Sequence, residues 1–438
     1  MKILFLTPQL PYPPQKGTAM RNWGLISGLA ERHEVAALSF SPLPSTGGER
    51  EEKDDPLTAT CRVEIVEPPV RSLGTRLRDM LTTARPDMAL RLASDAYARR
   101  LADWLARETF DVVHVEGIEM APYLDVIDAV SPPLRRLHVG PAAENPTLDN
   151  GFAELESVFQ PSQGSGALVV FDDHNCEYLL QKRAFLTDLR TPSRWAGAVY
   201  SFIQWQRLLD YEAQACCRAD RVLAVSEADA AALRELVPDV QVTVVPNGID
   251  TRAYTPTLPH SVTPTLVFTG TMDFRPNVDA VLWFAQEVLP RIRAQVKNVR
   301  FFAVGQRPHR RLDVLRGDPA VVLTDFVEDT RPYIAEAAVY VVPLRMGGGT
   351  RFKILEALAM GKAVVSTALG AEGFPVTHGR ELLLADEAGD FAQAVISLLN
   401  APEQREALGR AGRAFVEARY DWRVIVPLVE QAYESPNP

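Results

Sequence analysis

The stretch Met346-Gly347-Gly348-Gly349-Thr350-Arg351-Phe352-Lys353-Ile354-Leu355-Glu356 concentrates residue types that can hold an anion. Glycines 347, 348 and 349 let the backbone approach a ligand with no Cβ in the way. A helix opening just behind Thr350 leaves unpaired N–H groups and a partial positive charge, which suit phosphate oxygens. Arg351 and Lys353 add full charges, and Glu356, about a turn and a half into the helix, can accept from a pair of sugar hydroxyls. A flexible turn before an amphipathic helix would use the same glycines. The coincidence of loop, cations and helix start at the carboxyl end of a strand favours the anion site.

A second loop of this kind is Phe268-Thr269-Gly270-Thr271-Met272-Asp273-Phe274-Arg275-Pro276-Asn277. Pro276 fits the first turn of the next helix, which sets Arg275 beside a helix start and aims it at the same crevice. Taken alone, the loop reads equally as an ordinary strand-to-helix turn with an exposed arginine. Nearer the start of the chain, residues 8–21 form a long proline-stiffened loop that ends in Lys16-Gly17. It lacks the G-x-G-x-x-G spacing of a dinucleotide fold, which argues against a dehydrogenase. His174 follows Asp172-Asp173 at the end of a strand, where an imidazole can donate a hydrogen bond or shuttle a proton, or serve structure alone. A metal on Asp172, Asp173 and His174 is disfavoured, because adjacent residues on a strand diverge. His114 and Glu116 alternate on residues 111–117 and can face one crevice. Trp195, Val199, Phe202, Gln206 and Leu209 recur at helical spacing behind Lys182, Arg183, Arg190 and Arg194. They read as a core-facing stripe ahead of a contact with an acidic membrane or a lipid-linked acceptor.

These residues need a scaffold, and the pattern supplies one. Apolar runs at 3–6, 33–40, 61–66, 111–115, 167–171, 221–225 and 241–245 alternate with helical patterns such as 21–32 and 96–107. A second series follows at 266–269, 299–304, 321–324, 339–343, 363–366 and 382–384, with helices at 278–293, 352–360 and 390–399. The fold class is therefore α/β, with two doubly wound Rossmann-like domains facing a cleft. The expected division is 1–250, 251–420 and a last helix in 421–438 that crosses back to the first domain. The segments 41–60 and 131–166 lack periodicity; the first reads as a solvated acidic loop and the second as a disordered stretch or a lid.

The 438 residues carry 46 basic and 56 acidic side chains, a net charge of −10, which disfavours a nucleic-acid binder. Four cysteines without a C-x-x-C give no disulfide framework or zinc site. The apolar run 3–6 is too short for a signal-peptide core, and no run reaches the ~20 residues of a membrane span. The expectation is a soluble, cytoplasmic protein that can still touch the inner membrane surface.

The ordered series 268–277, 347–356, 361–367 and Gly370-Ala371-Glu372-Gly373 resembles the second domain of retaining GT-B glycosyltransferases, the "group 1" or family-four set. Pro13-Pro14-Gln15-Lys16-Gly17, residues 111–116, Asp173-His174-Asn175, Val225-Ser226-Glu227 and Val245-Pro246-Asn247-Gly248-Ile249-Asp250 resemble its first domain, closest to bacterial exopolysaccharide-type sugar transferases. The resemblance implies a nucleotide sugar on the second domain and an acceptor on the first. It implies that Glu356 holds the ribose, as the second glutamate of an E-x7-E motif whose first position is Gly348 here. It puts Thr271 where an arginine is usual and Arg275 near the usual lysine. The backbone N–H groups of Gly347, Gly348, Gly349 and Thr350, with Gly270, Arg351 and Lys353, would then hold the sugar diphosphate. Val327 would meet the base, His174 the donor sugar, and Gly17 the reaction centre, with Arg275 taking up leaving-group charge.

No cofactor and no metal is implied beyond the nucleotide-diphosphate sugar itself. The implied reaction is sugar transfer, with retained configuration, to a glycan or lipid-linked acceptor in surface polysaccharide or glycoconjugate assembly. The alternatives are a nucleotide-sugar epimerase on the same fold and a donor-binding scaffold that has lost activity.

Overall fold

The computed structural model describes residues 1–14, 17–42, 55–130, 166–189, 192–256, 264–348 and 351–434. The segment 131–165 and residues Lys16, Gly349 and Thr350 lie outside the described residues. The chain divides into two compact units, Met1–Pro246 with Val426–Pro438, and Asn247–Ile425.

The first unit holds seven strands: β1 (Lys2–Thr7), β2 (Glu34–Phe40), β3 (Arg62–Val66), β4 (Val112–Glu116), β5 (Leu168–Asp173), β6 (Arg221–Ala224) and β7 (Val242–Val244). They pair in the order β3-β2-β1-β4-β5-β6-β7, every pair parallel. Helices cover both faces of such a sheet, so Ile3–Leu6 of β1 is a continuous apolar run and β4 is buried throughout, His114 and Glu116 included. The helix Asp95–Arg107 shows how the cover forms. Ser94 accepts from the Tyr97 N–H at its start, and Tyr97, Ala98, Leu101 and Trp104 then fall on one buried face. The Tyr97 ring stacks on Phe40 at 4.5 Å.

The second unit holds β8 (Thr265–Thr269), β9 (Arg300–Val304), β10 (Val321–Leu323), β11 (Val339–Val342), β12 (Val364–Ser366) and β13 (Leu383–Leu384), in the parallel order β10-β9-β8-β11-β12-β13. Phe284, Phe301 and Phe391 anchor its core, with Phe284 and Phe301 4.5 Å apart.

Both sheets share one topological property. The chain steps outward from β1 to β3 and then returns beside β1 as β4; from β8 it steps to β10 and returns as β11. Strand order therefore reverses between β1 and β4, and between β8 and β11. Loops leaving the carboxyl ends of two such strands diverge to opposite faces and open a crevice, the usual ligand position in open α/β sheets. The loops after β8 and β11 are the two glycine-containing loops read from the sequence.

Three expectations are corrected. The helix expected at 278–293 is interrupted: Arg275–Trp283 passes into a wider turn at Phe284–Val288 before Leu289–Arg293. Pro290 lacks an N–H and crowds the carbonyl four residues back, which accounts for the wider turn before it. Within the expected loop 41–60, Pro56–Thr60 is helical, with the Asp55 side chain accepting from the Leu57 N–H. The stripe Trp195, Val199 and Phe202 does not face the core. The helix Trp195–Arg218 buries Ala198, Ser201, Gln204, Leu208 and Glu212 instead, and leaves those three exposed. A cation-flanked apolar stripe has the same periodicity on either face, so spacing alone did not orient it.

The helix Trp422–Glu434 begins among residues of the second unit and ends among those of the first. In the first unit Glu430 pairs with Arg32 at 2.7 Å and His33 at 2.9 Å. The Tyr433 hydroxyl meets His114 Nδ1 at 2.6 Å.

Candidate functional site

In the second unit, Lys353 and Glu356 lie one turn apart on the helix Phe352–Ala359, which starts behind the loop leaving β11. Lys353 Nζ donates to Asn277 Oδ1 at 2.9 Å and stands 4.0 Å from the centroid of the Phe268 ring. Asn277 in turn donates from Nδ2 to the Thr271 carbonyl at 2.9 Å. The loop after β8 and the helix after β11 are thus tied through one amide. Gly270 makes that approach feasible, since a Cβ there would lie 2.9 Å from Lys353 Nζ and 2.7 Å from Asn277 Nδ2. Pro276 occupies the first turn of the helix Arg275–Trp283, so Arg275 sits at the helix start, as expected.

Gly347 packs beside Pro276, and the Gly348 carbonyl accepts from Arg351 Nη1. Glu356 accepts from the Tyr254 hydroxyl at 3.0 Å. Val327 packs against the core of this unit, in the connection that also carries Asp329, whose charge acts on Glu356.

Desolvation dominates the electrostatics here. It lowers the Lys353 pKa to about 7, with the Arg351 charge acting in the same direction and Glu356 opposing. It raises the Glu356 carboxyl, against the Tyr254 hydrogen bond and the Lys353 charge. Both groups are pushed toward their neutral forms, so an incoming anion would find a lysine ready to take a proton.

In the first unit, β4 and β5 run side by side with Glu116 opposite Asp172. Alternation places His114 on the same face as Glu116. His114 Nε2 lies 3.3 Å from Glu116 Oε1 and 3.3 Å from Asp172 Oδ2. Arg21, 1 % exposed, closes on Asp172 with two bonds, Nε to Oδ2 at 2.8 Å and Nη2 to Oδ1 at 2.9 Å. It also donates to the Val245 carbonyl at 3.0 Å. Asn22, with its amide turned to satisfy both ends, donates to Glu116 Oε2 at 2.8 Å. Burial raises the Asp172 carboxyl, but the Arg21 charge and the His114 hydrogen bond outweigh it and hold the pKa well below the usual carboxylate range. Burial likewise opposes the charge on His114, and its hydrogen bonds to the Asp172 and Glu116 carboxylates outweigh it, raising the pKa. His114, Glu116 and Asp172 converge closely enough to ligate a cation. The bidentate arginine already neutralises Asp172, so the donor set fits an ion-pair network better than a metal.

His174 sits directly against this network. Its Nδ1 lies 3.7 Å from Glu116 Oε2, and its ring packs on Gly117, where a Cβ would fall 2.6 Å from Cε1. Gly117 has φ +76°, which only glycine adopts without strain. Asp173, on the opposite face of β5, pairs instead with Glu212. Burial, followed by the Glu212 charge, raises Asp173 well above the usual range, and burial raises Glu212 to about 7. Glu212 accepts from the N–H groups of Glu177 at 2.8 Å and Tyr178 at 2.9 Å, capping the helix that follows His174. Asp172 and Asp173 thus belong to separate networks. Gly17 begins the helix Gly17–Ala30 that carries Arg21 and Asn22.

The structure thus brings together Gly270, Gly347, Gly348, Arg351, Lys353 and Glu356 in the second unit, with Arg275 at the adjoining helix start. In the first it brings His174 to Glu116, which Asn22 of the helix begun by Gly17 also meets. Sequence reasoning missed Arg21, Asn22, Gly117, Glu212, Tyr254 and Asn277. Gly117 and Asn277 carried a usable signal, a glycine ending a strand and an amide just behind a helix-starting proline. Arg21 and Glu212 gave none, because their partners lie 151 and 35 residues away.

Comparison with known proteins adds the following. Residues 263–401 match the family described as "Glycosyl transferases group 1", and residues 167–253 match "Glycosyltransferase Family 4". A GDP-mannose-dependent monoacylated alpha-(1-6)-phosphatidylinositol monomannoside mannosyltransferase of Corynebacterium glutamicum is 27% identical over 202 residues, covering 41% of this chain and 53% of that protein. The chain spans about half the length of the curated relatives it matches. Among solved structures, sucrose-phosphate synthase from Thermosynechococcus elongatus superposes with a TM-score of 0.67 at 17% identity, covering 99% of this chain and 98% of that one. HepE of Anabaena, solved in complex with UDP-glucose, superposes with a TM-score of 0.60 at 15% identity over the full length of both. At these identities the likeness establishes the fold, two Rossmann-like domains of the GT-B type.

Proposed function

The chain carries a glycosyl transferases group 1 domain and a glycosyltransferase family 4 domain on the GT-B fold, and from that premise we propose that it is a retaining glycosyltransferase. It moves a sugar from a nucleotide-diphosphate sugar to a glycan or lipid-linked acceptor in surface polysaccharide or glycoconjugate assembly. The observation that carries this reading is the meeting of Gly270, Asn277, Lys353 and Glu356 at the strand-order reversal between β8 and β11.

The second unit holds the donor. The diphosphate lies against the loop at Gly347 and Gly348, and Arg351 and Lys353 supply positive charge. Glu356 accepts from the ribose hydroxyls, and Val327 lies beside the base. As the glycosidic C–O bond to phosphate breaks, charge accumulates on the leaving oxygens. Arg275 and the loop donors stabilise it in place of a divalent cation. The sugar carbon, oxocarbenium-like, then bonds the acceptor oxygen, whose proton is released. His174, flanked by Gly117 and Glu116, is the residue we assign to the donor sugar, and Gly17 the one we assign to the reaction centre. GDP-mannose and UDP-glucose are the first donors to try, given what the relatives use or bind.

The test is nucleoside diphosphate release from each nucleotide sugar, with NMR of the product's anomeric centre, in the presence and absence of a chelator. Chelator-insensitive turnover with retained configuration supports the proposal. A second reading, a donor-binding protein without turnover, is motivated by Gly348 and Thr271 standing where the family has glutamate and arginine. Tight donor binding with no release across acceptors would select it.

A further inference from the structure

The carboxylate assigned to the ribose is gripped by a side chain from a distant part of the second unit. Tyr254 lies 102 positions before Glu356, in a turn that opens at Asp250. Asp250 builds that turn. Its side chain accepts from the Arg252 N–H at 2.9 Å, and its carbonyl accepts from the N–H groups of Ala253 at 3.1 Å and Tyr254 at 3.0 Å.

Two arginines then fix the turn. Arg413 donates to the Thr251 carbonyl at 3.0 Å, and also to the carbonyls of Tyr254 and Ala359. Ala359 ends the helix Phe352–Ala359, where the last carbonyls lack partners within the helix. One guanidinium therefore ties the turn to the helix that carries Glu356. Arg331 donates to the Ala253 carbonyl at 3.2 Å and stands 5.8 Å from the centroid of the Tyr254 ring. Asp329 holds Arg331 in turn, accepting from its Nε at 2.9 Å. Backbone and ring of Tyr254 are thus both located by charged groups, and its hydroxyl reaches a defined point.

The consequence falls on Glu356. The last torsion of a glutamate side chain is broad, so a carboxylate left to itself does not aim its oxygens. Here Oε1 accepts from the Tyr254 hydroxyl at 3.0 Å, and Oε2 receives no hydrogen bond from the described residues. Anchoring one oxygen fixes the direction of the other. Charge acts with geometry. Burial, joined by the Asp329 charge, disfavours the ionised carboxylate; the Tyr254 hydrogen bond and the Lys353 charge favour it. Tyr340 on β11 also feels this carboxylate, and burial and the Glu356 charge raise its hydroxyl. The same two causes raise the Tyr254 hydroxyl, so it keeps its proton and stays a donor. A carboxylate kept ionised is the stronger acceptor for sugar hydroxyls.

We propose that Tyr254 is a positioning residue for ribose recognition: its hydroxyl anchors one oxygen of Glu356 and so presents the other to the ribose hydroxyls. This rests on the assignment of Glu356 to the ribose and deepens it. Preference for a ribonucleotide over a deoxynucleotide is then set by a side chain that acts through Glu356.

The test is calorimetry of the full chain with UDP and GDP, each compared with its 2′,3′-dideoxy counterpart, between pH 6 and 8.5. The wild type should prefer one ribonucleotide over its dideoxy counterpart by about fiftyfold. Tyr254→Phe should reduce that preference to less than about tenfold at pH 7, with affinity for the dideoxy nucleotide within about twofold of wild type. The variant keeps the ring beside Arg331, and circular dichroism checks that it remains folded. The preference should also fall on acidification, as Glu356 takes up a proton. Without the Tyr254 donor the carboxyl protonates more readily, so the midpoint of that fall should move to higher pH in the variant. A packing role alone would weaken both nucleotides alike and leave the midpoint in place; either result overturns the proposal. Preference lost in Glu356→Ala but kept in Tyr254→Phe overturns the proposal while the ribose assignment stands. Preference kept in Glu356→Ala, or a wild type that binds neither ribonucleotide or shows no preference, removes Glu356 from the ribose and the proposal with it.

Discussion

Donor binding should draw a proton onto Lys353. Desolvation and the Arg351 charge hold its pKa at about 7 in the unliganded protein. At pH 8 only about a tenth of the molecules carry a charged Lys353, by the ordinary titration relation. A diphosphate oxygen about 4 Å from Nζ, at an effective dielectric of about 20, favours the charged form by roughly 4 kcal/mol. That interaction raises the pKa by about three units, to roughly 10. Binding at pH 8 should therefore take up about 0.9 proton, and the dissociation constant should rise about tenfold per pH unit above 7. The diphosphate of a nucleotide sugar is already fully ionised over this range, so it does not supply the effect.

The assay is isothermal titration calorimetry between pH 7 and 8.5, in buffers of contrasting ionisation enthalpy. The control is Lys353→Met, which keeps an apolar stem over the Phe268 ring but loses the bond to Asn277 Oδ1. The variant should bind weakly, with a flat pH profile and no lysine-linked proton uptake. A wild-type affinity independent of pH, with heats independent of buffer, would refute the assignment of Lys353 to the diphosphate.

Other outcomes follow from the same geometry. Gly117→Ala places a methyl 2.6 Å from His174 Cε1 at a φ of +76°, so His174 must move; kcat should fall at least about tenfold, and donor affinity, measured by calorimetry, should weaken with it. Glu356→Ala should weaken donor binding, read by calorimetry in a folded variant, because the carboxylate assigned to the ribose and its Tyr254 bond are both lost. Arg21→Met leaves Asp172 buried without its cation and should cost the first unit about 3–5 kcal/mol in denaturant unfolding. The Arg21-dependent stability should be present above the unfolded carboxylate pKa near 4 and fade as pH falls, because Asp172 is held low in the folded state. Glu212 behaves oppositely. Its folded pKa, raised to about 7, binds a proton that the unfolded chain has released, so its contribution is lost as pH rises from about 4 through 7. Glu212→Gln should flatten that decline in a melting series.

Strand placement was legible because parallel strands covered on both faces are mostly apolar, and the thirteen strands among the described residues fall on the thirteen runs read from the sequence. The glycine loops were legible for a related reason: a sheet of this kind puts ligands where strand order reverses, and glycine marks close backbone approach. The networks behind the loops were not legible. Arg21 meets Asp172 across 151 positions, and Lys353 meets Asn277 across 76, so only the sheet order brings them together. The orientation of Trp195 and Val199 was misread because a helical period fixes which residues share a face, and leaves open whether that face meets protein or solvent.

The most direct test of the central claim is a thermal-shift series of the wild-type chain against UDP-, GDP-, ADP- and TDP-sugars with chelator present, repeated on Lys353→Met and Glu356→Ala. A ligand that binds only the folded state must raise the melting temperature. The account predicts a shift with one nucleotide sugar that survives the chelator and is lost or much reduced in both variants. No shift with any of the donors, or an undiminished shift in both variants, would contradict it.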